Sequence, residues 1–243
     1  MSLPARAAAA VAACLLAAAC SLPQRVGEPR DFSLTAPRAA APQGSDAQAA
    51  DELYSDLIGR MLAQKQYYAA LAHTQEQQQK TGGSDELTWL EAEARRSLGQ
   101  EAAAEKLYRS LLRTSWAGRA YHGLGLLYAR RDLGQSVELL RQAVRREPTD
   151  VSARNDLGYA LMMAGRYTEA LPELATAVEL DPRGDKARNN LIVLLLASRD
   201  EAGARKVAEQ AGVDKQTLAG LRQQAQSLMR SPAAAAAGKR GGR

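Results

Sequence analysis

The residue types that most often carry catalysis or bind metals are few in this chain and poorly spaced for either task. Its two histidines, His73 and His122, lie far apart with no cysteine beside them, and both cysteines, Cys14 and Cys20, fall within the first twenty residues. The sequence contains no zinc-type Cys/His spacing, phosphate-binding glycine loop, nucleophile elbow or HExxH motif. We therefore expect no catalytic residue, no metal site, no cofactor and no small-molecule substrate, and the sequence favours a protein that is not an enzyme.

A cysteine near the amino terminus is the one residue for which the sequence predicts a chemical modification. The chain begins with one charged side chain, Arg6, followed by an apolar run from Ala7 to Ala19. This run is too short to span a bilayer but suits the core of a signal peptide. The small residues directly before Cys20 resemble the bacterial lipobox, in which the cysteine becomes the lipidated first residue of the mature protein. We thus predict a lipoprotein signal peptide over residues 1–19 and lipidation of Cys20.

Two other interpretations of this segment remain open. The lipobox usually has leucine three residues before its cysteine, where this chain has Ala17. Residues 11–14, Val-Ala-Ala-Cys, fit the box letter for letter, but they leave an apolar core of only seven residues before Cys14. The third interpretation is a conventional secretory peptide that is cleaved after an Ala-x-Ala sequence.

The expected location follows from lipidation and from the residue after Cys20. In lipoproteins the processed cysteine carries three acyl chains, and two membrane signals already suffice for stable anchoring. Ser21 stands where an aspartate would be expected in a lipoprotein kept at the inner membrane. The resemblance therefore implies a lipid-anchored protein of the outer membrane that faces the periplasm.

Two segments lack the apolar periodicity of a folded domain. From the lipidated cysteine onward, residues 20–50 are rich in Ala, Pro, Gln, Arg and Gly, which predicts a disordered tether. A flexible segment of this length has a root-mean-square span of roughly 30 Å. The last residues, 231–243, predict a disordered basic tail.

The stretch from Val151 to Pro182 shows how the body of the chain is organised. It splits into two apolar-periodic halves, separated by a break at Gly165 and ended by the proline. Each half is only about three turns long, which is too short for a stable isolated helix. The two helices must therefore lie antiparallel and bury their apolar faces against each other and against neighbours.

This stretch resembles the tetratricopeptide repeat, whose pattern is Trp-x-x-Leu-Gly-x-x-Tyr followed by Ala, an apolar residue, Ala and Pro. The matching residues are Leu157, Gly158, Ala170, Leu174, Ala177 and Pro182. The alanine that opens the second helix recurs close to the family period of about 34 residues, with one shorter interval before Ser136. The recurring residues are Ala70, Ala104, Ser136, Ala170 and Ala204. The resemblance implies an all-α tetratricopeptide-repeat solenoid of about five helix-turn-helix repeats over residues 51–212.

The five repeats differ in how well they fit. They begin near Asp51, Asp85, Ala117, Val151 and Asp185. The first two are degenerate, the third fits if the turn between its helices has lost one residue, and the fifth has Ile192 in place of the glycine. Residues 213–230 predict a capping helix with Asp214 at its N-cap, since a terminal repeat otherwise exposes an apolar face.

The charge pattern bears on the class of partner. A net charge of +5 over 243 residues is mildly basic, and acids and bases alternate through the repeats. This is typical of a solvated helical surface and does not predict a nucleic-acid partner. The expected partner is a protein.

In tetratricopeptide-repeat proteins the first helix of each repeat lines a concave groove that holds an extended peptide or a helix. Asparagine can pair with a peptide backbone, and large aromatic side chains anchor interfaces. Asn155 and Asn189 occur in a repeated Ala-Arg-Asn sequence, and their alternative role is to link neighbouring repeats. The resemblance places the following residues at the groove: Trp89, Glu93, His122, Asn155, Tyr159, Met162, Asn189 and Val193.

A closer resemblance covers residues 154–212, which are similar to the TadD family of lipoproteins from Tad (Flp) pilus assembly systems. It implies a pilotin or scaffold at the outer membrane, whose partner is a secretin or another pilus-assembly component. The pilotin PilF and the outer-membrane assembly lipoprotein BamD share this architecture. The alternatives are therefore a scaffold for cell-wall enzymes or a component of outer-membrane protein assembly.

Overall fold

The computed structural model describes residues 44–230. The predicted signal peptide, Cys20, Cys14, the tether up to residue 43 and the basic tail lie outside the described residues. Within residues 44–230 the regular structure is entirely helical: α1 Gly44–Ala63, α2 Tyr67–Thr81, α3 Asp85–Ser97, α4 Glu101–Ser110, α5 Ala117–Tyr128, α6 Leu133–Arg146, α7 Val151–Met163, α8 Tyr167–Leu180, α9 Asp185–Ala197, α10 Glu201–Gln210 and α11 Lys215–Met229, with a 3₁₀ turn at Leu111–Arg113 after α4.

The helices pair in sequence order as five hairpins, α1–α2 to α9–α10, and each hairpin packs against the next one. The predicted starts of the second to fifth repeats are the first residues of α3, α5, α7 and α9. Helix α11 packs against α9 and closes the stack. The predicted all-α repeat fold with a capping helix is therefore confirmed. No helix within residues 44–230 is both long enough and apolar enough to cross a membrane.

The recurring small residue is the position that sets the register of the stack. All five residues are fully or almost fully buried: Ala70, Ala104, Ser136, Ala170 and Ala204. In the third repeat the Ser136 hydroxyl donates a hydrogen bond of 2.8 Å to the backbone carbonyl of Gly125. The buried hydroxyl therefore has a hydrogen-bond partner.

Two glycines let the paired helices approach closely. A Cβ atom on Gly158 would lie 2.6 Å from Cγ of Leu174, and one on Gly125 would lie 2.6 Å from Cγ of Leu140. Both leucines are buried on the second helix of the same repeat. The Leu-Gly pair of the repeat pattern is thus a packing requirement at the crossing of the two helices.

The structure differs from the sequence-based expectation at the start of α1. This helix begins at Gly44, seven residues before the predicted repeat start at Asp51. It therefore includes residues 44–50, which the composition assigned to the tether. Alanines at positions 47, 49 and 50 favour helix, so the helical segment extends beyond the part that packs against α2.

The irregular spacing of the third repeat also has a different origin from the one expected. The turn between its helices has not been shortened, since it spans residues 129–132, whereas the corresponding turn of the fourth repeat spans only 164–166. Instead, Gly125 lies eight residues after the start of α5, whereas Gly158 lies seven residues after the start of α7, so the Leu-Gly pair is displaced by one residue along its helix. The shorter interval before Ser136 arises before the third repeat, because α5 starts 16 residues after the start of α4, whereas α7 starts 18 residues after the start of α6.

The capping residues at the helix ends are the ones that the sequence predicts. The Ser84 hydroxyl accepts a hydrogen bond of 3.1 Å from the Leu87 N–H at the start of α3. The Asp214 carboxylate accepts from the backbone N–H groups of Gln216 and Thr217 at the start of α11. Gly165 follows α7 with φ of 72°, a left-handed conformation that glycine adopts without strain.

Candidate protein-binding groove

Three adjoining cavities follow the first helices of the repeats. The Trp cavity has a volume of about 300 Å³ and is lined by Trp89, Glu93, Arg96, Arg119, His122, Leu126, Asp150 and Ser152. The central cavity measures about 560 Å³ and is lined by Leu126, Ala129, Arg130, Leu133, Ser136, Leu140, Asp156, Tyr159, Ala160, Met163, Lys186 and Asn190. The end cavity measures about 230 Å³ and is lined by Tyr159, Met162, Met163, Val193, Gln224, Ser227 and Leu228.

Shared lining residues make these cavities one continuous surface, which we call the groove. Leu126 on α5 borders both the Trp cavity and the central cavity. Tyr159 and Met163 on α7 border both the central cavity and the end cavity. The groove therefore runs from α3 past α5, α7 and α9 to the capping helix α11.

Tyr159 is the predicted groove residue that the structure places most clearly. Its side chain lies at the junction of two cavities and is 39% exposed. Trp89, Glu93 and His122 line the Trp cavity at the other end of the groove. Contact of these side chains with a partner remains a prediction, but each of them borders the groove surface.

The other predicted groove residues are less accessible. Met162 is only 1% exposed and Val193 is fully buried, so both support the floor of the end cavity. Asn189 lines a separate cleft of about 400 Å³ between α9 and the loop before α11. Its buried Oδ1 atom has no hydrogen-bond partner among the described residues.

Asn155 is 2% exposed and lies beneath the groove surface. Its Oδ1 atom accepts a hydrogen bond of 2.8 Å from Nδ2 of Asn190 on α9, and its own Nδ2 donates to Oδ1 of Asp156 at 2.9 Å. Both ends of the amide are therefore used within the chain. This geometry corresponds to the linking role that the sequence left open beside partner contact.

Asp156 is the centre of a polar network that joins three first helices. Its Oδ2 atom lies 2.8 Å from Nε2 of His122 on α5, and its Oδ1 atom accepts a hydrogen bond of 2.7 Å from Nζ of Lys186 on α9. Burial alone would raise the pKa of the Asp156 carboxyl, but the hydrogen bonds and charges of His122 and Lys186 outweigh it and hold the pKa below its ordinary value. Asp156 is therefore an ionised link across the third, fourth and fifth repeats.

Aromatic rings and a guanidinium group form the wall of the Trp cavity. The rings of Trp89 and Trp116 lie with centroids 5.6 Å apart. The guanidinium carbon of Arg119 lies 4.4 Å from the Trp116 ring centroid and 5.5 Å from that of Trp89. Among residues 44–230, no carboxylate lies within 4.0 Å of this guanidinium. Arg119 thus presents a cation beside two indole rings at the groove surface, without an ion-pair partner among the described residues.

The acidic side chains of the Trp cavity already have partners within the chain. Glu93 accepts hydrogen bonds from the hydroxyl of Tyr108 and from Arg96, the latter at 2.6 Å. Burial, followed by the charge of Glu93, raises the pKa of Tyr108, so this phenol remains protonated. Asp150 accepts from two backbone N–H groups at the start of α7. Neither acid forms an ion pair with Arg119 within the described residues.

Several of these residues were not predicted from the sequence. Trp116 and Arg119 lie near a degenerate repeat boundary and match no motif, so only the structure reveals their stacking. Asp156 carried a usable signal, because it lies one full repeat after His122 and therefore occupies the same position on the next first helix. Equivalent positions on adjacent first helices are neighbours in a repeat stack. That spacing predicts the observed pair.

The groove has the features of a surface for noncovalent recognition. No group of three or more His, Cys, Asp or Glu side chains within the described part of the chain is placed to hold a metal ion. What the groove offers instead is apolar volume, one exposed tyrosine, a stacked cation and a buried ionic link. Such a surface suits a polypeptide segment with both apolar and polar side chains.

Comparisons with known proteins identify the family. Two tetratricopeptide-repeat family models match residues 126–184 and 161–231. A TPR repeat-containing protein of Pseudomonas aeruginosa is 32% identical over 226 residues, which cover 93% of this chain and 86% of that protein.

Solved structures resemble the fold. A thermophilic TPR protein of Thermus thermophilus has a TM-score of 0.57 at 22% identity, covering 74% of this chain and 98% of its own. The pilF protein of Pseudomonas aeruginosa has a TM-score of 0.60 at 16% identity, covering 79% and 90%. At these identities the two structures support the fold alone. On the register of its helices and on this sequence similarity, the chain belongs to the tetratricopeptide repeat family.

Proposed function

We propose that this protein is a non-enzymatic, lipid-anchored scaffold of the outer membrane that serves Tad (Flp) pilus biogenesis in the manner of a pilotin. Its groove binds a segment of a secretin or of another pilus-assembly component. The lipid on Cys20 holds the complex at the periplasmic face of the bilayer, and the segment that follows Cys20 lets the repeat domain reach its partner.

The observation that carries the binding role is the continuity of the groove. Its three cavities connect through Leu126, Tyr159 and Met163, so a single bound segment can contact four of the five repeats and the capping helix. Tyr159 lies at the middle of this path with a large exposed surface, and tyrosine is enriched at the energetic centres of protein interfaces.

The membrane location and the link to pili rest on sequence resemblance. The segment before Cys20 resembles a lipobox, and residues 154–212 resemble the TadD family. The non-enzymatic role is supported by the sparse histidines and cysteines, whose spacing in the sequence matches no motif of an acid, a base and a nucleophile.

The test is to isolate the full-length protein from crosslinked cell envelopes and to identify its partners by mass spectrometry. Cys20→Ala removes the acceptor for lipid, and Tyr159→Asp places a charge at the centre of the groove. Tyr68→Asp is the matched control, because Tyr68 on α2 is 78% exposed and does not line the groove.

We expect a secretin or another Tad component with the wild type and with Tyr68→Asp, and its loss with Tyr159→Asp. The Cys20→Ala variant should no longer be found in the outer-membrane fraction, because it has no lipid anchor. An unchanged partner set with Tyr159→Asp would refute binding at the groove. Recovery of peptidoglycan enzymes, or of outer-membrane assembly factors, in place of pilus components would replace the pilus role with one of the alternative scaffold roles.

A further inference from the structure

We propose that the groove selects its partner segment by two side chains: an acidic one that binds Arg119 in the Trp cavity, and a bulky apolar one that enters the central cavity. This inference rests on the proposed function, because it names the chemistry of the segment that the groove would hold.

The acidic preference follows from the environment of Arg119. The Arg119 guanidinium carbon lies 4.4 Å and 5.5 Å from the centroids of two adjacent indole rings, while the residue itself remains exposed. The planar guanidinium presents its N–H groups as a fork that matches a carboxylate. Glu93 pairs with Arg96, and Asp150 caps α7, so neither forms an ion pair with Arg119 among the described residues, and a carboxylate from a partner can bind this guanidinium.

The apolar preference follows from the lining of the central cavity. Leu126, Leu133, Ala160 and Met163 form its walls, and Arg130 lies at its border as a second exposed cation. An apolar side chain buried there is removed from water, which favours the complex. Arg130 adds charge complementarity for the same acidic segment.

The distance between the two sites sets a spacing in the partner. Arg119 and Leu126 are seven residues apart on α5, which corresponds to about 10 Å along the helix. An extended segment covers roughly 3.3–3.6 Å per residue. The acidic and the apolar residue of the partner should therefore lie about three positions apart.

The experiment uses a random-peptide phage library, panned against the full-length protein and against three variants. Arg119→Gln removes the cation but keeps a polar side chain, and Arg119→Lys keeps the charge but loses the planar fork. Arg205→Gln is the control, because Arg205 is an exposed arginine on α10 that lines none of the three cavities. Peptides selected by the wild type are then synthesised with Asp→Asn or Glu→Gln at the shared acid, and their affinities are measured by fluorescence polarisation.

We expect the wild type and Arg205→Gln to enrich peptides with an acid about three residues from a bulky apolar residue. Replacing the acid by its amide should weaken binding to the wild type by about tenfold, but binding to Arg119→Gln by less than about twofold, because the charge-assisted hydrogen bond is already lost. Arg119→Lys should give an intermediate effect.

Selected peptides with no acidic enrichment, or an acid-to-amide effect that persists in Arg119→Gln, would overturn the assignment of Arg119. A failure of all four proteins to select any peptide would overturn the proposed groove function itself. The two failures are therefore distinguishable.

Discussion

At its carboxyl end the stack of helices is closed by α11, whereas the amino-terminal hairpin leaves apolar side chains open to solvent. Helix α11 contributes Leu221 and Leu228 to a buried core that runs without interruption from α6. Leu57 on α1 is 39% exposed, although Leu157, at the equivalent position of the fourth repeat, is buried. The difference arises because no described helix precedes α1, while α6 precedes and covers α7.

The interiors of the two ends differ as well. In the fourth repeat the second helix buries Leu174 and Ala177, and in the first repeat the equivalent buried residues are Thr74 and Gln77. Repeats that match the family pattern therefore supply most of the apolar core. The stacked Trp89, Trp116 and Arg119 lie at the junction of the second and third repeats, where that pattern breaks down. The Trp cavity thus lies outside the main apolar core, whereas the central and end cavities of the groove lie against it.

Truncating a leucine should give the largest difference in stability between the two ends of the stack. Leu174→Ala leaves a cavity at a fully buried site, and we expect it to lower the free energy of unfolding by about 2–5 kcal/mol. Leu57→Ala removes the same atoms from a half-exposed site and should cost under about 1 kcal/mol. Urea unfolding followed by circular dichroism measures both variants. Equal costs would contradict the view that the carboxyl-terminal repeats hold the main core.

Replacing a glycine by alanine should lower the stability at the carboxyl end of the stack and raise it at the amino end. In Gly158→Ala the new Cβ would meet Leu174 at 2.6 Å, and we expect destabilisation by about 1–3 kcal/mol. In Gly59→Ala, on α1, the new Cβ meets nothing within 4 Å, and higher helix propensity should stabilise by about 0.5–1 kcal/mol. Thermal unfolding of the pair tests the contrast, and a stabilising effect of Gly158→Ala would refute the close helix crossing.

The ionic network in the carboxyl-terminal part should show a defined pH dependence. The pKa of Asp156 lies below its ordinary value, so folding favours its ionised form. Its contribution to stability is therefore complete above the pKa of the unfolded state, about 3.9, and is lost as the pH falls through the lower folded value.

At pH 7 we expect Asp156→Asn to lower the free energy of unfolding by about 1–2 kcal/mol, because Lys186 and His122 lose an ionised acceptor. The difference in the free energy of unfolding between the wild type and Asp156→Asn should become smaller as the pH falls below about 4. Urea unfolding at a series of pH values measures this gap, and Asp56→Asn, at an exposed position on α1, is the control. A gap that stays constant down to about pH 2 would contradict an ionised link.

Replacing a buried polar side chain of the first repeat by an apolar one should give the smallest change in stability. Thr74 is fully buried, and its hydroxyl donates to the carbonyl of Ala70 in its own helix at 2.7 Å, a bond that does not strengthen a helix. Thr74→Val replaces the hydroxyl by a methyl group and should stabilise by about 0.5–1 kcal/mol. Thr81→Val is the control, since Thr81 makes the same kind of bond at an exposed site. Equal changes in stability for Thr74→Val and Thr81→Val would show that the burial of the Thr74 hydroxyl is not the cause of the stabilisation.

Periodicity was sufficient to predict the fold because the repeat places one small residue at every helix crossing. Ala70, Ala104, Ser136, Ala170 and Ala204 recur in register even where the rest of the pattern is lost, and all are buried. The start of α1 at Gly44 was not predictable in the same way. Its first residues do not repeat an apolar pattern, so only helix propensity marks them.

The groove was predictable in outline but not in detail. Tyr159 and Trp89 were placed at its surface by their positions in the repeat, because those positions face the same way in every hairpin. Asn155 and Asn189 share a motif, yet one is buried by Asn190 and the other lines a different cleft. Their surroundings differ because Asn155 on α7 faces α9 of the next repeat, whereas Asn189 on α9 faces the loop before the capping helix α11. The sequence period cannot report such an asymmetry.

Binding in the groove is tested most directly by site-specific photocrosslinking in living cells. Benzoylphenylalanine replaces Tyr159, at the middle of the groove, or Tyr68, an exposed tyrosine outside it. We predict that irradiation yields a discrete crosslinked protein from position 159, which mass spectrometry identifies as a pilus-assembly component, and none from position 68. The same crosslinked protein from position 68, with none from position 159, would contradict binding in the groove.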